Sequence, residues 1–100
     1  MIKRLQRFFK PRRGVELNVV DKGYELLVWK NKEAEILYIP DECLKEIALM
    51  LNNLKGKKAQ LNIKYGYYSQ FMDLPSWAMP NARRLIVNKA LETLATLDEE

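Results

Sequence analysis

The stretch Val15–Ile39, VELNVVDKGYELLVWKNKEAEILYI, decides the fold because its apolar residues recur at every second position over most of its length. A period of two is typical of β-strands, whose successive side chains point to opposite faces of a sheet. Turn sequences at 21–23 and 31–32 divide the stretch into three strands, and Gly23 is expected to take the positive φ of the first turn. The stretch therefore predicts a three-stranded antiparallel meander.

The second and third of these strands are apolar on both faces. Leu26 and Val28 share one face of the middle strand, whereas Leu27 and Trp29 share the other. A sheet with one face open to water normally alternates cleanly between apolar and polar residues. The second face is therefore either covered as well, or it is a binding surface that includes Trp29.

The residues after the meander predict two helices and one more strand. Residues 40–42, Pro-Asp-Glu, are a helix start, and apolar spacings of three and four continue to Leu54. Residues 59–65 return to a period of two, and a last helix is expected over residues 80–98. The predicted fold class is α+β: one domain over residues 1–100, with a four-stranded, mainly antiparallel sheet packed with helices in the order α-β-β-β-α-β-loop-α.

The first thirteen residues are strongly basic. They carry six lysines and arginines and no acid, so the rest of the chain has a net charge of −2 within a total of +4. Ile2, Leu5 and Phe8 are spaced by three, which predicts a short amphipathic helix over residues 2–9. Three interpretations stay open: a helix docked on the core, an arm that orders on binding, or a helix on a membrane surface.

The stretch at 65–80, YGYYSQFMDLPSWAMP, holds five of the ten aromatic residues in the chain. Its middle shows neither a helix period nor a strand period, so the sequence predicts a long loop. Loops of this length are uncommon in a compact domain and are often functional. We therefore expect this aromatic loop to be a binding element.

The absence of certain residues and motifs from the sequence argues against several classes of function. The chain has no histidine and one cysteine, Cys43, which removes the usual general base, histidine-paired nucleophiles and most transition-metal sites. Cys43 near a helix start could have a lowered pKa, or it could be an ordinary small side chain. No glycine-rich phosphate loop and no membrane-length apolar run occur. We expect no enzyme activity, no cofactor, no metal, no membrane partner and a cytoplasmic location.

What remains is a set of basic residues interleaved with aromatic residues. Single-stranded nucleic acid is bound by cations that contact phosphates and by rings on which bases stack. The sequence therefore predicts sequence-tolerant binding of single-stranded DNA or RNA by a monomer or weak dimer. The alternatives are that the rings are core, that the charges are plain solvated surface, or that the aromatic loop serves a small protein–protein adaptor. The candidate nucleic-acid-binding residues are Arg4, Arg7, Arg12, Arg13, Trp29, Lys30, Lys32, Tyr38, Lys64, Tyr65, Tyr67, Tyr68, Phe71, Trp77, Arg83 and Arg84.

Three strands, an Ile-Pro-Asp-Glu helix start, a fourth strand and the stretch Leu74–Leu85, LPSWAMPNARRL, resemble one known family. The chain is similar over residues 14–97 to the ThermoDBP-type single-stranded DNA-binding proteins of hyperthermophilic archaea. That resemblance implies binding in a cleft between sheet and helices, lined by aromatic and basic residues. The richness in Lys, Glu, Ile and Leu is also typical of thermophile proteins.

Overall fold

The computed structural model describes residues 4–6, 12–54 and 58–98, and among them the side chains of residues 14–54, 58–64, 66–67 and 69–94. This part of the chain contains six strands and two α-helices. In order they are β1 (Arg4–Gln6), β2 (Arg12–Val20), β3 (Gly23–Asn31), β4 (Glu33–Pro40), a 3₁₀ turn (Asp41–Cys43), α1 (Leu44–Asn53), β5 (Ala59–Tyr65), β6 (Tyr68–Leu74) and α2 (Met79–Asp98).

The meander predicted from the sequence is confirmed, and it forms most of a four-stranded antiparallel sheet with the order β1-β4-β3-β2. Two-residue turns connect its strands, because Val20 pairs with Gly23 and Lys30 pairs with Glu33. Asn31 takes a φ of 59° in the second turn, a conformation that asparagine tolerates better than most residues. The predicted turns at 21–23 and 31–32 are both present.

The reason for Gly23 differs from the prediction. Lys22, and not the glycine, has the positive φ of the first turn, at 61°. A Cβ added at Gly23 would lie against the carbonyl oxygen of Ile39 and 2.9 Å from the hydroxyl oxygen of Tyr38. Glycine is needed there because β4 approaches the backbone of β3 too closely for a side chain.

The predicted N-terminal helix is wrong for residues 4–6, which form β1. Arg4, Leu5 and Gln6 pair in antiparallel register with Glu35, Ala34 and Glu33 of β4. Main-chain groups at the edge of β4 need hydrogen-bond partners, and a helix of two turns is marginal without tertiary support. The rest of the predicted helix, at residues 2–3 and 7–9, lies outside the described residues.

The predicted four-stranded sheet is also wrong in its composition, although the α+β class stands. Residues 59–65 do form a strand, β5, but it does not join the meander. It pairs instead with β6, a strand that occupies much of the predicted aromatic loop, in the register from Ala59–Leu74 to Tyr65–Tyr68. The turn between them uses Gly66 with a φ of 61°, as expected of glycine at the first central position of a two-residue hairpin turn. The result is a second, two-stranded sheet.

The main core lies between one face of the four-stranded sheet, one face of the β5–β6 hairpin and the two helices. Leu26 and Leu37 contribute from the sheet, Leu61 from the hairpin, Leu51 from α1 and Ile86 from α2, all with no more than 1% of their surface exposed. A second, smaller cluster lies on the other face of the sheet. It contains Leu27, Trp29 and Ala34, with the half-buried Ile36 packed against them.

One side chain, Gln70, connects the hairpin to the sheet. Its Oε1 accepts a hydrogen bond from the backbone N–H of Tyr38, and its Nε2 donates to the carbonyl oxygen of the same residue, both at 3.3 Å. The carboxamide therefore pairs with Tyr38 as a neighbouring strand would, at a point of β4 beyond the three residues that pair with β1. Edge positions of sheets are commonly covered in this way.

Candidate nucleic-acid interface

The surface that combines exposed rings with an exposed cation is the outer face of the hairpin. Alternation along both strands creates this face, because Leu61, Ile63, Met72 and Leu74 point into the core. The residues between them point outward in three cross-strand pairs. We call this surface the hairpin face; its residues are Gln60, Asn62, Lys64, Ser69, Phe71 and Asp73.

Phe71 and Tyr67 supply the rings. Phe71 has 65% of its surface exposed in the middle of the hairpin face, and Tyr67 is fully exposed in the turn at its end. Asn62 lies directly opposite Phe71 in the register, and Lys64 is the next outward residue on the same strand. Diagonal neighbours of this kind are about 7–8 Å apart, within reach of long side chains. A planar group lying on Phe71 would thus have an amide and an ammonium group at its border.

A cleft of about 540 Å³ continues the hairpin face at the base of the hairpin. Gln60 and Asp73 belong to both, and Lys30 and Lys58 also line the cleft. The charges there are partly compensated, since Lys30 Nζ lies 3.1 Å from a carboxylate oxygen of Glu35. Gln60 donates a hydrogen bond of 3.1 Å to the Asp73 carboxylate. The cleft therefore carries charges of both signs, with two lysines and one aspartate among the residues that line it.

Two of the predicted rings are buried or partly buried in the core. Trp29 has 2% of its surface exposed, so neither face of its indole is open to a base. This is a correction to its place among the predicted stacking residues, and it settles one alternative: the second face of the sheet is covered at Trp29. Trp77 is half-buried and packs against the main core.

Tyr38 also has a structural role. Its hydroxyl donates a hydrogen bond of 3.0 Å to the carbonyl oxygen of Lys22, and the carbonyl oxygen of Asp21 lies 3.3 Å from the same hydroxyl. These contacts tie β4 to the first turn. Burial raises the pKa of this phenol, and the negative charges of Asp41, Asp21 and Glu42 raise it further. The ring is half-buried and its hydroxyl is engaged, so little of Tyr38 is available for stacking.

The predicted cations whose side chains the structure describes lie in three separate places. Arg13 pairs with Lys30 across β2 and β3, and Lys32 is exposed in the adjoining turn, so these residues share one end of the four-stranded sheet. Arg83 is half-buried and Arg84 is exposed near the start of α2. Lys64 is the cation on the hairpin face. For five of the predicted residues the structure describes the backbone, which lies in strands, but not the side chain: Arg4, Arg12, Arg13, Tyr65 and Tyr68. Arg7 lies wholly outside the described residues.

Sequence reasoning missed Lys58, Asn62 and the strand that carries Phe71. In residues 68–74, YSQFMDL, the polar Gln70 points inward and the apolar Phe71 points outward. This inversion hides the period of two that Met72 and Leu74 would otherwise reveal. A possible signal was Gly66, since a glycine between two short runs favours a hairpin.

Cys43 does not have the features of a reactive thiol. Burial raises its pKa, and the nearby carboxylates of Glu46 and Glu42 raise it further. A nucleophilic cysteine needs the opposite shift, because the thiolate is the reactive form. The interpretation of Cys43 as an ordinary small side chain, half-buried against the main core, is the one that fits.

Among the helices described, including the twenty residues of α2, there is none with the length and apolar character that crossing a membrane requires. Comparison with models of protein families gives no match for this chain. Searches of curated proteins and of solved structures likewise find none that is similar to it.

Proposed function

We propose that this protein binds single-stranded DNA or RNA, with little sequence preference, on the hairpin face. The observation that supports this most directly is the exposure of Phe71, at 65%, beside Lys64 on the same face and with the exposed Tyr67 at its end. Each base has a planar face that can stack on an aromatic ring, which contributes about 1–3 kcal/mol per base and tolerates any sequence. Phe71 and Tyr67 are the proposed stacking residues.

Lys64 and Asn62 have complementary parts in this proposal. The ammonium group of Lys64 would contact a phosphate next to the base stacked on Phe71, and the Asn62 amide would donate or accept hydrogen bonds at a base edge. One asparagine gives little discrimination among four bases, which fits sequence-tolerant binding. Lys30 and Lys58 in the cleft would contact phosphates where the bound strand continues past the base of the hairpin.

Fluorescence anisotropy with labelled oligo-dT, oligo-U and duplex DNA tests the proposal. Phe71→Ala should weaken binding of both single strands by about 5- to 150-fold, the equivalent of one stacked base. Its melting temperature should stay close to that of the wild type, because the ring is largely exposed. Val19→Ala is a matched control, since Val19 is 69% exposed on β2, outside the hairpin.

Salt dependence tests the phosphate contact. Each phosphate contact with a single strand contributes about −0.7 to the slope of log affinity against log salt. Lys64→Gln should therefore make the slope shallower by about 0.7, whereas Phe71→Ala should leave it unchanged. Wild-type protein that binds neither oligonucleotide, or binding that Phe71→Ala does not weaken, would contradict the proposal.

A protein–protein adaptor that uses the same face is the second candidate. It is favoured by the near balance of charge on the hairpin face, where Lys64 is accompanied by Asp73. Interfaces between proteins combine a central aromatic anchor with a polar rim, as Phe71 and its neighbours do. Failure of both oligonucleotides to bind, with a well-folded protein, would favour this adaptor function over nucleic-acid binding.

A further inference from the structure

The strand β2 forms one edge of the four-stranded sheet, and no strand among the described residues pairs with its outer side. Its nine residues pair one to one with β3, so no bulge interrupts the ladder. The strand contains no proline, and Glu16 is the only charged residue within 14–20. Proteins commonly interrupt exposed edges with bulges, prolines or charges, because a long regular edge is open to pairing with another chain.

The register of β2 and β3 shows which main-chain groups point outward. Val20 and Gly23 flank a two-residue turn, so they exchange hydrogen bonds, and every second pair along the ladder does the same. The residues between these pairs direct their N–H and C=O groups away from β3. Those with described side chains are Val15, Leu17 and Val19.

The opposite edge of the sheet, on β4, agrees with this count. Lys30 and Glu33 flank the second turn, and counting from them directs the main chain of Tyr38 away from β3. Gln70 makes its two hydrogen bonds to those groups, and β1 pairs with the other end of β4. In the part of the chain that the structure describes, the edge of β4 is thus covered, whereas the outward groups of β2 form no backbone hydrogen bonds.

The side chains of β2 are apolar on one face and polar on the other. Val15 and Leu17 are half-buried against the main core, whereas Val19, on the same face, is 69% exposed. Glu16 and Asn18 point to the opposite face. A strand that paired with β2 and placed an apolar side chain beside Val19 would cover it.

We propose that β2 pairs antiparallel with β2 of a second copy of this chain, with the two-fold axis between the two Leu17 residues. A two-fold contact places each residue i against j and each j against i. The outward groups then bond to one another, since Leu17 faces Leu17 and Val15 faces Val19. On the other face, the Glu16 carboxylate lies opposite the Asn18 amide, which can donate a hydrogen bond to it.

Charge selects this axis from its neighbours. An axis at Glu16 would put two carboxylates directly opposite each other, and like charges in that position destabilise a strand pair. An axis at Asn18 would place Glu16 opposite the apolar Val20, and Val15 opposite Asp21, which lies beyond the strand. The strand is therefore complementary to itself about Leu17.

This dimer does not depend on the proposed nucleic-acid binding. Phe71 and Lys64 lie on the hairpin, which Gln70 joins to β4, and β3 separates β4 from β2. Loss of the dimer and loss of oligonucleotide binding are therefore separate results, and either can fail alone.

Sedimentation equilibrium over a range of protein concentrations tests the proposal. The mass of the full chain should rise from 11.8 kDa toward twice that value as concentration increases. Val19→Pro should keep the mass at 11.8 kDa, because it removes an outward N–H and puts a ring against the incoming strand, while every hydrogen bond to β3 remains. The matched control is Val19→Thr, which keeps the N–H and should dimerise. A wild-type chain that stays at 11.8 kDa at the highest concentration, or a folded Val19→Pro that dimerises as Val19→Thr does, would overturn the proposal.

A cysteine at the axis tests the register. Cα atoms of a hydrogen-bonded antiparallel pair are about 5.5 Å apart, within the range of a disulfide. Leu17→Cys in a Cys43→Ser background should therefore form a covalent dimer on mild oxidation, seen by non-reducing gel electrophoresis. Val19→Cys in the same background should not, because the two thiols would lie four residues apart along the strands, about 13 Å. Position 19 is the more exposed, so random collisions would favour it; cross-linking at 19 that equals or exceeds that at 17 would overturn the proposed pairing.

Discussion

Replacing Gln70 by methionine should destabilise the protein by about 1–2 kcal/mol. The variant removes two hydrogen bonds to the backbone of Tyr38 while keeping a side chain of similar length. A typical intramolecular hydrogen bond contributes about 0.5–1.5 kcal/mol net, and these two, at 3.3 Å, are at the long end of the usual distances. In a domain of this size 1 kcal/mol shifts the melting temperature by roughly 4–8 °C, so the expected loss is easily measured.

Urea denaturation of Gln70→Met and Gln60→Met provides the comparison. Gln60 belongs to the same hairpin but is exposed and donates to the Asp73 side chain, so its replacement should change stability by about 0.5 kcal/mol or less. Gln70→Glu adds a second check. Its carboxylate can accept from the N–H of Tyr38 but repels the carbonyl oxygen, so this variant should regain stability when the carboxyl is protonated. If Gln70→Met cost no more than Gln60→Met, the role of Gln70 in joining hairpin and sheet would be wrong.

Two more predictions concern the first turn of the sheet. Gly23→Ala should cost about 1–3 kcal/mol of folding free energy, because its Cβ would press against the carbonyl oxygen of Ile39; denaturation that matched the wild type would refute this. Burial raises the pKa of Tyr38 above its ordinary value of 10.0, and the negative charge of Asp41 raises it further. Above pH 10.0 the folded chain therefore binds more protons than the unfolded chain does. The unfolding free energy should therefore fall as pH rises through this range, more steeply than in Tyr38→Phe; a stability difference between the two proteins that does not change with pH would contradict it.

The meander and the last helix could be predicted because each follows one simple period over most of its length. Val15–Ile39 alternates as a strand does, and its turns have residues that tolerate positive φ or need no side chain. Met79–Asp98 forms the helix expected over residues 80–98. Local sequence was enough in both regions, although β3 is also buried on its second face, where Leu27 and Trp29 form the smaller cluster.

The hairpin and β1 could not be predicted because their pairing depends on tertiary contacts. Gln70 points inward, where the backbone of Tyr38, thirty-two residues earlier in the chain, offers it two hydrogen-bond partners. β1 is three residues long, too short to show a period, and it exists because β4 has an edge to pair with. The candidate site followed the same division: Tyr67, Phe71 and Lys64 were among the predicted residues, but their common face became visible only with the register of β5 and β6.

In the proposed complex with nucleic acid, the direction of β6 along β4 determines how a bound strand would lie on the hairpin face. Gln70 contacts Tyr38 near the C-terminal end of β4. Asp73 lines the cleft together with Lys30, which pairs with Glu33 at the beginning of β4. β6 therefore runs toward the end of the sheet that carries Lys30 and Lys32, and Tyr67 lies three residues before Gln70, about 10 Å farther from that end. Phosphates would be held by Lys64 beside the rings and also by Lys30 and Lys58 at the base of the hairpin, so the two phosphate sites are separated along the hairpin. A short oligonucleotide can then engage the rings and Lys64 without reaching the cleft, so oligonucleotides long enough to reach the cleft should show a steeper salt dependence.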